Sequence, residues 1–224
     1  MHRSDFTVPK QTYEMFRDRL EAGSILAEKL KKYKDDPGIV LAVPRGGVPV
    51  AYAVAKDLGF PVDIVLTKKI GHPENEEYAI GAASLTDYFV IADKSVSEEY
   101  IEQELLRIRK RLKEMQDRFM GDRKPESLKG KTVIIVDDGI ATGNTMIGTV
   151  NVLRKSNPGK IVIAVPVAPQ SALQKLSKIA DDVIAVLTPG QFYGVGGYYE
   201  DFEQVTDQQV MYYLDKLREM KKAS

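Results

Sequence analysis

The segment Val133–Thr145, VIIVDDGIATGNT, sets four apolar residues ahead of two carboxylates, Asp137 and Asp138, and then a turn of small and hydroxyl residues. An apolar strand ending in two acids delivers them to the carboxyl end of a sheet, where open α/β folds place their ligands. In the turn, Gly139, Ala141 and Gly143 let backbone N–H groups approach an anion, while Thr142 and Thr145 add hydroxyl donors and Asn144 lies between them. The N-terminus of the helix that follows favours the same negative charge. This is the chemistry of a phosphate cup. Paired carboxylates beside it would repel a nucleotide tail, but they suit ribose hydroxyls as hydrogen-bond acceptors, or Mg²⁺ as oxygen ligands. Together the two halves describe a sugar phosphate. The plainer reading is a capped turn that binds nothing, since DDG and TGNT are ordinary turn chemistry. Against it stands the cost of running a buried strand into two carboxylates with no compensating ligand.

Other glycine-containing segments are weaker. The acidic segment lacks the lysine of a Walker loop, so nucleoside triphosphate hydrolysis is not indicated, and GVGG at Gly194–Gly197 lacks the final glycine and the strand-to-helix setting of a dinucleotide fingerprint. PRGGVPV, Pro44–Val50, is different, because it directly follows a short apolar run. Arg45 can grip a phosphate with paired donors, and Gly46 and Gly47 free the backbone to aim amides at the same group. A tight turn with a solvated arginine is the alternative.

These segments need a scaffold. Ile39–Val43, Val62–Leu66, Thr132–Val136, Ile161–Val167 and Asp182–Leu187 are short β-branched runs, separated by helical stretches over about 48–58, 145–155 and 170–178. The alternation predicts an α/β fold with a mostly parallel central sheet and flanking helices. An amphipathic helix is expected within Lys10–Tyr33, from the spacing of Met15, Phe16, Leu20, Ile25, Leu26 and Leu30. Gly71–Tyr78, GHPENEEY, reads as an exposed mobile loop before a candidate hairpin of AIGAAS with DYFVIA. Ser97 then caps a long helix over 97–120, with Ile101, Leu105, Ile108, Leu112, Met115 and Phe119 in steps of four and three. That stripe either packs on its own domain or forms a subunit interface. Near the C-terminus, 188–202 gathers Phe192, Tyr193, Tyr198 and Tyr199 among glycines, either as a hood on which a flat base stacks or as core.

Composition narrows the setting. The 224 residues fit one domain, and 43% apolar with 29% charged residues is a globular balance. Lys plus Arg and Asp plus Glu both number 32, so no global field draws the chain to nucleic acid or an anionic membrane, and any anion is held locally. With no cysteine, a disulfide framework, a thiolate nucleophile and a cysteine zinc site are excluded, and a reducing cytoplasm is expected. The N-terminal twenty residues lack the apolar core of a signal peptide, and no apolar run approaches a membrane span. Two histidines make no metal cluster; His72 is a candidate proton shuttle, with a surface histidine as the plainer reading.

VIIVDDGIATGNT resembles the signature of type I phosphoribosyltransferases: four apolar residues, two acids, a short variable stretch, then Thr-Gly-x-Thr. The stretches Lys68–Ser84, Phe16–Leu30 and Phe192–Val210 resemble a branch of that superfamily without an assigned substrate, so the likeness covers nearly the whole chain. The resemblance implies that Asp137 and Asp138 hold the ribose hydroxyls of phosphoribosyl pyrophosphate, and that Ala141–Thr145 hold its 5′-phosphate. It makes Pro44–Gly47 the pyrophosphate loop, with a non-proline cis peptide, and Lys68 and Lys69 further pyrophosphate contacts, unless they are simply a charged strand end. The implied reaction is attack of an acceptor, usually a base nitrogen, on ribose C1, with Mg²⁺ as cofactor and Asp137, Asp138, Arg45 and Lys69 at the reacting centre. Gly71–Tyr78 would be the lid that excludes water, and a homodimer is expected. Where 6-oxopurine enzymes carry an acid before Thr-Gly, this chain has Ala141, which argues against hypoxanthine and guanine. Two alternatives remain: a non-catalytic sensor of phosphoribosyl pyrophosphate, and an enzyme acting on another ribose phosphate.

Overall fold

In chain order the elements are α1 (Arg19–Leu30), β1 (Gly38–Ala42), α2 (Gly47–Leu58), β2 (Val62–Ile64), β3 (Lys68–His72), β4 (Asn75–Ala83), β5 (Tyr88–Val90) and α3 (Glu98–Met120). They continue with β6 (Thr132–Val136), α4 (Asn144–Arg154), β7 (Lys160–Val167), α5 (Gln170–Leu176), β8 (Asp182–Leu187) and α6 (Asp207–Ala223). The structure is a computed structural model that describes residues 15–91, 95–121 and 125–223. Part of the helix expected within Lys10–Tyr33 therefore lies outside the described residues; α1 itself starts only at Arg19, where the Asp18 side chain accepts from the Glu21 amide and caps it.

Five strands form one parallel sheet in the order β2-β1-β6-β7-β8. Its strands are apolar on both faces because helices cover both. Val40, Ala42, Ile134, Val136, Val162 and Ala164 pack with Leu26, Val54 and Leu58 of α1 and α2 and with Val210 and Leu214 of α6. The alternate residues Ile39, Leu41, Val133, Ile135, Ile161 and Ile163 pack on the other side, against Met146 and Val150 of α4 and Leu176 of α5. A one-residue slip of any strand would exchange these two sets, so the register is fixed by burial. Strand order reverses between β1 and β6, and a crevice is left beyond their carboxyl ends.

The second sheet, β3-β4-β5, is antiparallel and corrects the loop expected at Gly71–Tyr78. Residues 71, 72 and 75–78 are strand, joined by a tight turn at Pro73 and Glu74. Polar residues there face solvent along a half-exposed hairpin, which is why composition reads as loop. The strand pairing has a bulge at Gly71, whose Cα lies so close to the Glu76 backbone that an added Cβ would sit 2.6 Å from its carbonyl oxygen. The inner face, Ile70, Ile80 and Ala83, is closed by Leu105, Ile108 and Leu112 of α3. The α3 stripe is thus spent on its own chain. Ser97 caps α3 as expected, accepting from the Tyr100 amide, and the Tyr100 hydroxyl donates to the Gly71 carbonyl 2.9 Å away. Among the described residues, no helix is long and apolar enough to cross a membrane.

Candidate functional site

Three loops meet at the switch point. The Val43 amide donates to the Val136 carbonyl, which brings the chain after β1 beside the chain after β6. Between them the Pro44–Arg45 peptide bond is cis, within the span where the resemblance placed one. Gly46 and Gly47 press onto the acidic pair: a Cβ on Gly46 would lie 2.0 Å from Asp138 Oδ2, and one on Gly47 would lie 2.6 Å from the Val136 carbonyl oxygen and 2.9 Å from Asp137 Cα. The glycines are needed for this contact.

The two acids face different ways. Asp137 lines a cavity of about 550 Å³, and its Oδ1 accepts the Asp138 amide at 2.9 Å. Burial pushes the Asp137 carboxyl well above the usual carboxylate range, and the charge of Asp138 pushes it further, with Arg19 acting against both. Asp138 lines a second cavity of about 520 Å³, where its Oδ2 accepts from Arg19 Nε at 2.8 Å. The Arg19 guanidinium also lies over the Phe202 ring, 3.9 Å from its centroid, and donates to the Glu203 carbonyl. Tyr199, buried against Phe16, donates its hydroxyl to the Asp138 carbonyl at 2.6 Å. Burial raises the Tyr199 hydroxyl, so it stays a protonated donor.

The first cavity collects most of the expected contacts. Ala141, Thr142, Gly143, Asn144 and Thr145 line it, the Asn144 amide donates to Thr142 Oγ1 at 3.5 Å, and Gly143, at φ 79°, opens α4 with no side chain of its own to cap it. That conformation is one only glycine takes freely. Thr149 lines it as well, its hydroxyl 2.7 Å from that of Thr67, a contact between α4 and the segment after β2 that spacing did not signal. Lys68 and Lys69 line the same cavity, but they open β3 rather than ending β2, because β2 stops at Ile64.

Besides Asp138 and Gly46, which line the second cavity, and Gly47, which lines neither, further expectations fall outside this one. Arg45 lines the second one instead, and its Nε lies 2.7 Å from Asp207 Oδ1 at the start of α6. Phe192 stacks on Tyr198, ring centroids 5.7 Å apart, while Tyr193 is 87% exposed; neither Phe192 nor Tyr193 lines either cavity, and Tyr199 is buried against Phe16 instead. His72 contacts Ser95 Oγ at 3.3 Å, beside the cavity rather than in it. Conversely, α3 adds Tyr100, Glu104, Arg107 and Arg111 to the lining. Spacing could have found these residues, since 100, 104, 107 and 111 form a stripe along one flank of the apolar one.

A family model described as the phosphoribosyl transferase domain matches residues 14–202. The chain belongs to this family. A solved protein of Thermus thermophilus, TT1426, is similar to this phosphoribosyl transferase chain at 39% identity with a TM-score of 0.85, over 91% of this chain and 99% of that one. Provisionally assigned phosphoribosyl transferases from two Mycobacterium tuberculosis strains are 37% identical over 208 residues, 91% of this chain. This chain covers 47% of each, so it spans about half the length of these curated relatives. A Pyrococcus furiosus ribose-phosphate pyrophosphokinase is 41% identical over 63 residues, which are 27% of this chain and 23% of that protein.

Proposed function

We propose that this chain transfers the 5-phosphoribosyl group of phosphoribosyl pyrophosphate to an acceptor, a nitrogenous base, and releases pyrophosphate. The observation that carries the proposal is the convergence of the Ala141–Thr145 loop, Asp137 and Pro44 on one cavity at the sheet's switch point. The first amides of α4 with Thr142 and Thr145 bind the 5′-phosphate. Asp137 accepts a ribose hydroxyl, and Asp138 does so once its contact with Arg19 yields. The acceptor nitrogen forms its bond to C1 as the C1–O bond breaks, the electron pair leaving with a pyrophosphate oxygen and the acceptor's proton passing to solvent. An oxygen-lined site beside a carboxylate fits Mg²⁺, which would be held mainly by the substrate with Asp137 and would screen the pyrophosphate charge. Lys69 adds positive charge on the same side. A homodimer in a reducing cytoplasm completes the reading, in keeping with the absence of cysteine.

A second reading draws on the internal ion pairs. Arg45 with Asp207 and Asp138 with Arg19 occupy two expected substrate contacts, as in a protein that senses phosphoribosyl pyrophosphate without turning it over. Incubation with phosphoribosyl pyrophosphate, Mg²⁺ and a panel of bases separates the two. Pyrophosphate release that depends on one base supports transfer; tight binding without release supports the sensor. If Asp137→Asn with Asp138→Asn left ribose 5-phosphate binding unchanged, the site assignment would be lost.

A further inference from the structure

The large cavity is lined by four cationic side chains, Lys68 and Lys69 of β3 and Arg107 and Arg111 of α3, facing the carboxylates of Glu76, Glu104 and Asp137. Arg107 is engaged, with its Nη2 2.6 Å from Glu104 Oε2. Among the described residues the Arg111 side chain makes no ion pair or hydrogen bond, and neither does that of Lys68. Cationic charge is therefore in reserve in the same cavity that the Ala141–Thr145 loop lines. Resting on the transfer reading above, this reserve has one natural use. The substrate is anionic at two ends; the Ala141–Thr145 loop takes one, and the unpaired Arg111 and Lys68 side chains lining the same cavity suit the other. The arginine expected to hold the second anionic end, Arg45, is paired with Asp207 in the other cavity.

We propose that Arg111, seconded by Lys68, is the clamp for the departing pyrophosphate. A guanidinium presents paired donors in a plane that matches two phosphate oxygens, whereas an ammonium is a point charge. As the C1–O bond breaks, its electron pair becomes charge on a pyrophosphate oxygen, and Arg111 meets that charge without giving up a proton. The position is firm. Arg111 is carried on a helix of 23 residues whose buried Leu105, Ile108 and Leu112 grip the inner face of the hairpin. The same hairpin presents Lys68, and the Tyr100 hydroxyl ties the start of α3 to Gly71. Hairpin and helix share one buried apolar cluster, so the elements that carry Lys68 and Arg111 are held together.

Calorimetric titrations with inorganic pyrophosphate and with ribose 5-phosphate, each with Mg²⁺, test the assignment. Arg111→Gln is expected to weaken pyrophosphate about tenfold or more while ribose 5-phosphate stays within about twofold, the loss of a charged hydrogen-bond pair from a binding site. Arg111→Lys should recover part of the loss, and Lys113→Gln, nearby on α3 and paired with Asp117, should change neither ligand. Unchanged pyrophosphate affinity in Arg111→Gln overturns the proposal, as does an equal loss of both ligands, or an equal loss from Lys113→Gln. A wild-type chain that binds pyrophosphate but loses it only in Arg45→Gln also overturns it and leaves the transfer reading standing. If the wild type binds neither ligand, the transfer reading falls, and the clamp with it.

Discussion

Asp137 is a carboxyl kept in an environment that disfavours its charge. Burial is the larger cause and Asp138 the smaller, and both raise its pKa above the unfolded value. The folded state therefore binds this proton more tightly than the unfolded chain, and the linkage has a definite sign. Stability falls as pH rises from the unfolded pKa through the folded one, and the cost is fully present above the folded value. Asp137→Asn should raise the midpoint of thermal unfolding by about 2–4 °C per kcal/mol recovered at pH 7 to 8, and the gain should vanish as pH falls toward about 4, near the unfolded carboxyl value. Differential scanning calorimetry across that range checks it; a variant no more stable than wild type at pH 8 would contradict it. The same substitution should abolish ribose 5-phosphate binding, which is the trade expected where a strained charge serves a ligand. The neighbouring glycines give an ordering. On Gly46 an added methyl meets a side-chain carboxylate that can swing, whereas on Gly47 it meets the Val136 carbonyl and the Asp137 Cα, which cannot. Gly47→Ala should cost about 1–3 kcal/mol in urea denaturation and more than Gly46→Ala, despite alanine's better helix propensity at the start of α2.

Elements were legible in the sequence to the extent that burial was two-sided. TVIIV coincides with β6 because a strand covered on both faces reads as a continuous apolar run, and DVIAVL coincides with β8, an edge strand that is only half-buried. The long helix was legible from Ser97 and the stripe through Phe119. The pairing of β4 with β5 was legible in AIGAAS and DYFVIA, whereas the hairpin of β3 with β4 was not, since its outer face is polar and its turn residues are those of any loop. The placing of the acidic pair and of the turn that opens α4 was readable because a strand, two acids and a helix start are contiguous; the pairing of Arg45 with Asp207 joins residues too far apart in sequence to signal each other. Arg107 and Arg111 went unmarked because the periodic signal of α3 lies in its apolar stripe, not on the flank beside it. Packing gives this region a test. Leu112 is fully buried between α3 and the hairpin, in a cluster separate from those of the main sheet. Leu112→Ala should cost about 2–5 kcal/mol locally. Amide exchange in 68–83 should quicken while β6 and β7 keep their protection; equal loosening of both sheets would show that the hairpin does not open by itself.

At the scale of the whole molecule, α6 connects the C-terminal segment to both the candidate site and the core, by contacts of unequal worth. Asp207 lies 2.7 Å from Arg45 Nε and 2.7 Å from Arg118 Nη1, linking α6 to the loop after β1 and to the end of α3. Both arginine side chains are exposed, at 43% and 57%, and exposed pairs of this kind contribute about 0–1 kcal/mol. The apolar side of the helix is another matter. Val210 and Leu214, at 0% and 2% exposure, sit in the same cluster as Val54 and Leu58 of α2, and Tyr213 packs on Tyr52 with ring centroids 5.2 Å apart. Their spacing, with Leu217, is that of an amphipathic helix, although the aromatic segment before it gives no notice of one. Burial should therefore outweigh charge in holding α6. Leu214→Ala is expected to lower stability by about 2–5 kcal/mol in urea denaturation, and Asp207→Ala by no more than about 1 kcal/mol. The two differ in the opposite direction at the site. Freeing Arg45 in Asp207→Ala should alter the affinity for pyrophosphate with little change in stability, whereas Leu214→Ala, assayed where it is still folded, should leave that affinity within about twofold. A large stability loss from Asp207→Ala would mean that the charged end of α6, not its buried face, fastens the C-terminus to the sheet.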